Sequence, residues 1–477
     1  MMSETKQEAD ITVLSSEEEL YLDPKKEARV VRKLDRNVLP ILGLIYFLCA
    51  LDRSNIGNSV SAGLQESIGL TNSEYSNVVS LLYVTYILSE MPGTLLLKKL
   101  KPHRYLGFCG LCWSLVTIGT TFVGNYGHLL ACRMLLGLFE GSYFPCIMLY
   151  VSIFYKKEEQ GLRMAILLSC AGLAGAFGGL ISYALVQVQT TNPWLQGYRL
   201  IYLVEGLITI CAIPLIFFWL PDDENSGKFF NDSDREVMAI RSKQRSNYMG
   251  EEGFSWVEIK KAYLDPKTYF SMIIQFCQDL ILYSFSTFLP NILKSGLGYN
   301  TNEAQYMTIP VYIVSVIAVI SISYLSDRTS LRGPFIAGAN ALGIIGYIIL
   351  LASGNNKAKY FACYLIAFPL YICPGLNLSW TANNSYPHYR RATSMGSNQT
   401  LGNLSGVIAG QVYRNSPYVL GHSFGLGCLC VSIIAVALNT LWLRYLNNEK
   451  ERILNGEKVD NKSERTGDHE LDFRYCY

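Results

Sequence analysis

The chain has 477 residues, half of them hydrophobic, and a formal net charge of +2. That is too apolar for an ordinary soluble protein, and the basic residues are spread over short loops instead of forming the patch a nucleic acid would need. Five histidines, with no His-x-x-x-His, phosphate loop or nucleophile–base pair, argue against an enzyme.

The N-terminus is polar and acidic without an apolar h-region, so no cleavable signal peptide is expected. Apolar runs of about 20 residues, the length that crosses a bilayer, fall near 39–58, 76–98, 105–124, 128–155, 162–188 and 199–220. Six more follow near 268–292, 304–326, 334–353, 359–382, 392–413 and 421–446. The predicted organisation is an N-terminal tail (1–37), a six-helix bundle (38–220), a linker (221–267), a second six-helix bundle (268–446) and a C-terminal tail (447–477). Within the linker, Phe254, Trp256, Val257, Ile259 and Lys260 to Leu264 read as a short amphipathic helix at the membrane interface, or as partly ordered linker. Met1 to Tyr21 and Asn447 to Tyr477 are charged and expected to be mobile. The cysteines, including Cys109-x-x-Cys112, read as free thiols inside apolar helices.

Lysine and arginine placement orients the chain. Lys25 to Arg36, Lys98 to Arg104, Lys156 to Arg163, Arg328 with Arg332, and Arg390-Arg391 fall on one side, whereas Ser59 to Tyr75 contains neither residue. Both termini and the linker are therefore expected in the cytoplasm. The N-x-S/T sequons at Asn231, Asn377, Asn383, Asn398, Asn403 and Asn461 then lie in helices or on that side and should stay unglycosylated.

Charges interrupt these spans. Arg133 and Glu140 lie almost two turns apart in the fourth, on one face with Gly137 between them, and Asp52-Arg53 interrupts the first. A charge at membrane depth costs about 2.5–3.5 kcal/mol on insertion scales and persists where it faces a protein interior or a water-filled path. Arg53 is the first candidate to anchor an anionic substrate, because a guanidinium stays charged and grips a carboxylate bidentately; the alternative is a salt bridge to Glu140 or Asp52 that locks helices. Glu140 is the leading proton carrier: burial favours the neutral acid and a nearby arginine the charged one, so substrate arrival can switch it. Asp52 follows the same logic, or serves as fixed counter-ion to Arg133. Glu90, just before Pro92-Gly93, is assigned to gating or loop anchoring, and Asp279 has no assigned role. Trp380 is a candidate for stacking on a ring or for interface anchoring.

Several motifs resemble one family. The loops Pro92-Gly93 to Arg104 and Asp327-Arg328 to Arg332 resemble the paired loop signature of the major facilitator superfamily, the first copy lacking its acidic residue. Arg133-Met-Leu-Leu-Gly137-Leu-Phe-Glu140-Gly141 resembles its fourth-helix signature. Leu51-Asp52-Arg53-Ser54-Asn55-Ile56-Gly57-Asn58, Trp380 to Asn384, Tyr389 to Thr393, Gln399 to Gly406 and Asp472 to Tyr475 resemble the anion:cation symporter branch and its fungal allantoate permease group, nearest to nicotinate permeases. The resemblance implies an all-α membrane protein of the major facilitator fold, with 12 transmembrane helices as two six-helix bundles and a central cytoplasmic loop. It implies a protein without cofactor in the lipid bilayer of the plasma membrane or of endosomes or vacuoles; a chain that carries both halves of its own pathway is expected to work as a monomer. The implied activity is proton-coupled import of a small organic anion by alternating access. Nicotinate is the first choice; allantoate or ureidosuccinate, pantothenate, biotin, cysteine or sulfonates are alternatives, as is a nutrient sensor that does not transport. Tyr86, Gln275 and Asn403 would join Arg53 in binding substrate. Asp52 and Glu140 would couple protons with Arg133 tuning them, and Asp327, Arg328 and Arg332 would form the gating loop.

Overall fold

A computed structural model describes residues 22–188, 191–192, 194–223, 226–249, 255–459 and 467–477. The tail 1–21, Phe254 and Asn461 lie outside them. Regular structure among the described residues is helical.

An amphipathic helix, α1 (Pro24–Asn37), starts on Pro24 with the Asp23 carboxylate accepting from the Lys25 amide. The first half continues with α2 (Leu39–Ser61), α3 (Asn72–Lys99) and α4 (Pro102–Thr120). The fourth span comes in two pieces, α5 (Tyr126–Glu140) and α6 (Tyr143–Phe154), followed by α7 (Lys157–Val186) and α8 (Tyr198–Trp219). The linker forms α9 (Asp232–Met249) and α10 (Trp256–Leu264). The second half has α11 (Pro266–Asn291), α12 (Thr308–Thr329), α13 (Gly333–Ala352), a tenth span in two pieces, α14 (Asn356–Ala367) and α15 (Pro369–Asn383), then α16 (His388–Val412) and α17 (Val419–Leu454).

Ten helical segments among the described residues are long and apolar enough to cross a membrane. The third and eleventh spans read from the sequence, α4 and α16, fall short of that measure. α16 is polar because it is enclosed by protein: Ser394, Asn398, Asn403 and Ser405 are all buried. Its glycines let neighbours close in, since a Cβ on Gly402 would lie 2.0 Å from Asp279 Oδ2 and one on Gly406 would lie 2.5 Å from the Tyr83 ring.

The two halves meet tightly at the end remote from the basic loops. Ser61 Oγ donates to Asn291 Oδ1 (2.9 Å), Lys294 Nζ to Ser61 O (2.7 Å) and Gln305 Nε2 to Asn58 O (3.0 Å). A Cβ on Gly57 would stand 1.9 Å from Thr287 O, so only glycine allows this approach. At the basic end the halves part around a vestibule of about 490 Å³ between α6, α7, α12, α15 and α16.

Two expectations need correction. The C-terminal tail is ordered where it is described: residues 467–477 fold against the basic end of the second half. Asp468 is buried and accepts from both Lys267 and Arg390, Lys450 Nζ lies 4.3 Å from the Tyr475 ring centroid, and the Tyr477 carbonyl accepts from the Arg332 amide. Charged composition reads as solvation in sequence, but here the charges find partners. Trp380 does not line the central cavity; it is buried and its Nε1 donates to Cys476 O (2.9 Å). The linker is also tied down, because Arg241 on α9 binds Glu27 of α1 and Glu159 of α7. Trp256, Val257 and Leu264 are exposed along α10, the amphipathic pattern read from the sequence.

Candidate substrate and proton site

Adjacent residues on a helix point about 100° apart, and Asp52 and Arg53 diverge accordingly. Arg53 turns to the seam between the halves. Its Nε donates to Glu140 Oε1 (2.8 Å), its Nη2 stands 2.7 Å from the same oxygen, and Nη2 reaches Tyr86 OH at 3.2 Å. The guanidinium carbon also lies 4.8 Å from the Tyr86 ring centroid, a cation–π distance. Cys49 Sγ completes the group, donating to Glu140 Oε1 at 3.1 Å. Glu140 is fully buried, and its Oε2 has no partner.

Arg53 opens on a central cavity of about 60 Å³ lined by Tyr46, Tyr83, Tyr283, Tyr371 and Ser54. Leu168 and Tyr371 also line the vestibule, so the two spaces adjoin. Tyr83 and Tyr283 face each other across the seam with ring centroids 4.6 Å apart. The sequence reading missed this ring of tyrosines. Tyr83 precedes Tyr86 by one turn and Tyr283 follows Asp279 by one turn, so helical periodicity from those residues would have found both.

Asp52 turns the other way, into the first half. Its Oδ2 accepts from Trp113 Nε1 (3.1 Å) and Thr209 Oγ1 (3.4 Å). Arg133 shares the buried face of α5 with Gly137 and Glu140, as the spacing predicts, but pairs with neither acid: Nη2 donates to Tyr202 OH (2.8 Å) and Nη1 has no partner. Asp52 and Arg133 thus make no direct ion pair in this arrangement. Glu205 on α8, fully buried and held by Asn55, was also missed. It is an acid in the middle of an apolar span, the signal that singled out Glu140.

In the second half, Gln275 is buried between Asp279, to which its Nε2 donates (3.0 Å), and Asn377, from which its Oε1 accepts (2.8 Å). It does not line the central cavity. Asn403 sits beside the cavity, accepting from Tyr283 OH and donating to Glu90 Oε1 across the seam. Glu90 thus faces the other half and not its own loop. Among the residues expected to gate, Arg332 pairs with Asp327 (2.5 Å) and donates to Ser326 Oγ (2.9 Å), while Arg328 is exposed.

Residues 42–410 match the family described as Major Facilitator Superfamily. The chain is 50% identical to an uncharacterised transporter of Schizosaccharomyces pombe, over 96% of this chain and 95% of that one. It is 33% identical to the high-affinity nicotinic acid transporter of Saccharomyces cerevisiae, over 100% of this chain and 90% of that one. Its fold is similar to the crystal structure of a D-xylose–proton symporter, with a TM-score of 0.65 at 12% identity, covering 84% of this chain and 96% of that one. With two helical halves meeting around an intramembrane arginine, and with these matches along its length, the chain belongs to the Major Facilitator Superfamily of membrane transporters.

Proposed function

We propose that this protein is a proton-coupled symporter importing a small organic anion by alternating access, with nicotinate as the first-choice substrate. The observation that carries the reading is Arg53: a guanidinium at membrane depth, opening on a small cavity ringed by tyrosines. An arginine satisfies a carboxylate, and tyrosine faces suit a flat aromatic ring. The similarity to a nicotinic acid transporter points the same way.

Glu140 is paired with Arg53. Protonation releases the guanidinium, and the substrate carboxylate replaces the side-chain one, so proton and anion enter together. Tyr86 steadies Arg53, and Asn403 contacts the substrate from the second half. Gln275 reaches it only by leaving Asp279 and Asn377. Asp52, inside the first half, is the alternative proton carrier to Glu140, Arg133 tunes both acids, and Asp327, Arg328 and Arg332 gate the basic end, taken as cytoplasmic with both termini. The protein works as a monomer in the plasma membrane.

The test is uptake of radiolabelled nicotinate into cells lacking their own permease, at acid and neutral external pH, with and without a protonophore. Accumulation at acid pH that the protonophore abolishes is the expected outcome. Acid-driven uptake of allantoate, pantothenate, biotin or a sulfonate in place of nicotinate would change the substrate and keep the mechanism. No uptake of any of these from a surface-expressed protein would overturn transport in favour of sensing.

A further inference from the structure

Two buried carboxylates, Glu140 and Glu90, hold groups at or beside the cavity, Arg53 lining it and Asn403 bonded to the Tyr283 hydroxyl that lines it. Glu140 holds Arg53 in the first half. Glu90, one turn beyond Tyr86 on α3, reaches across the seam and accepts from the side-chain amide of Asn403 on α16. Glu90 is 8% exposed and meets an amide where Glu140 meets a cation. The other oxygen-facing side of Asn403 is taken by Tyr283 OH, whose ring lines the cavity, and by Gln399 Nε2 at 3.3 Å. The charged groups acting on Glu90 from the helices around it are Arg53 on α2 and Asp279 on α11. Tyr86 lies on its own helix, and Glu140 stands behind Arg53.

The position of this contact along the seam matters. From the closed end, α3 is joined to the turn after α16 by Asn72 with Asn415, and to α16 itself by Asn77 with Gln411 and Ser80 with Val407 O. Glu90–Asn403 is the hydrogen bond of that seam nearest the basic end among the described residues. A charged carboxylate accepts roughly twice as strongly as a neutral one, so the protonation state of Glu90 sets how firmly this end of the seam is held.

We propose that Glu90 binds a second transported proton, its carboxylate form latching Asn403 across the two halves and its protonated form freeing Asn403 for substrate. This rests on the symport reading above. A proton taken up with the substrate neutralises Glu90, frees Asn403 and loosens the seam beside the vestibule. Its release restores the carboxylate, which regrips Asn403 and draws the empty carrier back. The proton moves from the uptake side onto a Glu90 oxygen and leaves from the same oxygen on the other side, with no other bond made or broken.

The experiment uses the purified full-length protein in proteoliposomes with nicotinate as the probe. The proton-to-nicotinate ratio is read from the membrane potential that halts net nicotinate flux under set pH and nicotinate gradients, an electroneutral carrier showing flux that no potential halts. A ratio is independent of how much protein is active, so a purely structural role does not move it. Wild type is expected to carry net positive charge inward with each nicotinate anion, and Glu90→Gln to carry one proton fewer and become electroneutral. Glu90→Gln keeping the wild-type ratio overturns the proposal, as does a wild type that is already electroneutral. Where Glu90→Gln is not recovered as folded protein, Glu90→Asp carries the test. An unchanged ratio with a shifted pH midpoint for uptake supports a titrating latch, and an unchanged midpoint overturns it. Nicotinate movement by wild type with no proton at all overturns the symport reading itself.

Discussion

Arg53 and Glu140 form a buried ion pair between the first and fourth spans, Nη2 to Oε1 2.7 Å, with the arginine side chain 16% exposed and the glutamate fully buried. The asymmetry is the useful part: the cation keeps one side to the cavity while the anion has none. A substrate carboxylate can therefore approach Arg53 but must displace Glu140 to be held.

The first prediction concerns that exchange. Arg53→Lys keeps the charge but loses the planar fork, and nicotinate uptake should fall by about tenfold or more, a loss of roughly 1.4 kcal/mol or greater at a bidentate site. Arg53→Ala strands Glu140 and should destabilise the fold by about 3–5 kcal/mol. Adding Glu140→Gln to Arg53→Ala should restore much of the melting temperature without restoring uptake. Thermal unfolding in detergent alongside uptake separates the two effects, and a double variant no more stable than Arg53→Ala would refute this account.

The tyrosine ring should set preference for aromatic acids. Tyr283→Leu keeps bulk in the cavity but removes one ring of the pair across the seam, where aromatic contacts contribute about 0.5–1.5 kcal/mol beyond area. The KM for nicotinate should rise several-fold, with a smaller effect on competition by an aliphatic carboxylate of similar size. Equal weakening of both acids would argue that Tyr283 only holds Asn403 in place.

In the first half, Asn55 is the donor to the buried Glu205 carboxyl, whose second oxygen has no partner. Asn55→Leu removes that donor and should cost about 1–3 kcal/mol. Replacing Glu205 by Leu in the same protein should recover part of the loss, because an apolar pair leaves nothing unsatisfied. A double-mutant cycle on melting temperature measures the coupling, and simple additivity would mean the two side chains do not interact.

At the basic end, α10 is held to α16 by Glu258. Burial by itself would push this carboxyl up, but the hydrogen bond from Lys261 and the charge and hydrogen bond of Arg390 hold it below its ordinary value of 4.5. A lowered folded-state pKa means the stabilisation is present above 4.5 and is lost as pH falls through the folded value. Proteolysis at the linker should thus rise steeply on acidification below 4.5, and Glu258→Gln should show the higher rate already at neutral pH. Asp468→Asn, which leaves Lys267 and Arg390 without their shared carboxylate, should loosen the C-terminal segment at every pH.

Much of the site could be read residue by residue. Arg53 and Glu140 stand out as charges at membrane depth and Tyr86 is implied by the family resemblance, and the three do meet. Gly137 and Gly141 lie in the fourth-helix motif, and the structure gives the motif a packing reason: a Cβ on either would stand 2.3 Å from a backbone oxygen of α3, at Leu82 and Tyr86 respectively. Those contacts seat Tyr86 beside Arg53. Tyr83 and Tyr283 were passed over because a tyrosine in an apolar span carries no charge to mark it. Asn403 and Glu90 are both marked in the sequence, Glu90 for gating or loop anchoring, but only the fold brings the two together across the seam.

The sequence by itself determined where the helices run and which of them carry charge, because hydropathy and helical period are local properties that a run of about 20 residues fully expresses. Only the tertiary structure decided which acid meets which cation. Asp52 and Arg53 are neighbours in the chain, yet one faces Trp113 inside the first half and the other faces Glu140 and the cavity. That choice depends on how each helix is rotated against others far away in sequence. The same holds for the tail, whose Asp468 reads as one more solvated charge until Lys267 and Arg390 are folded against it.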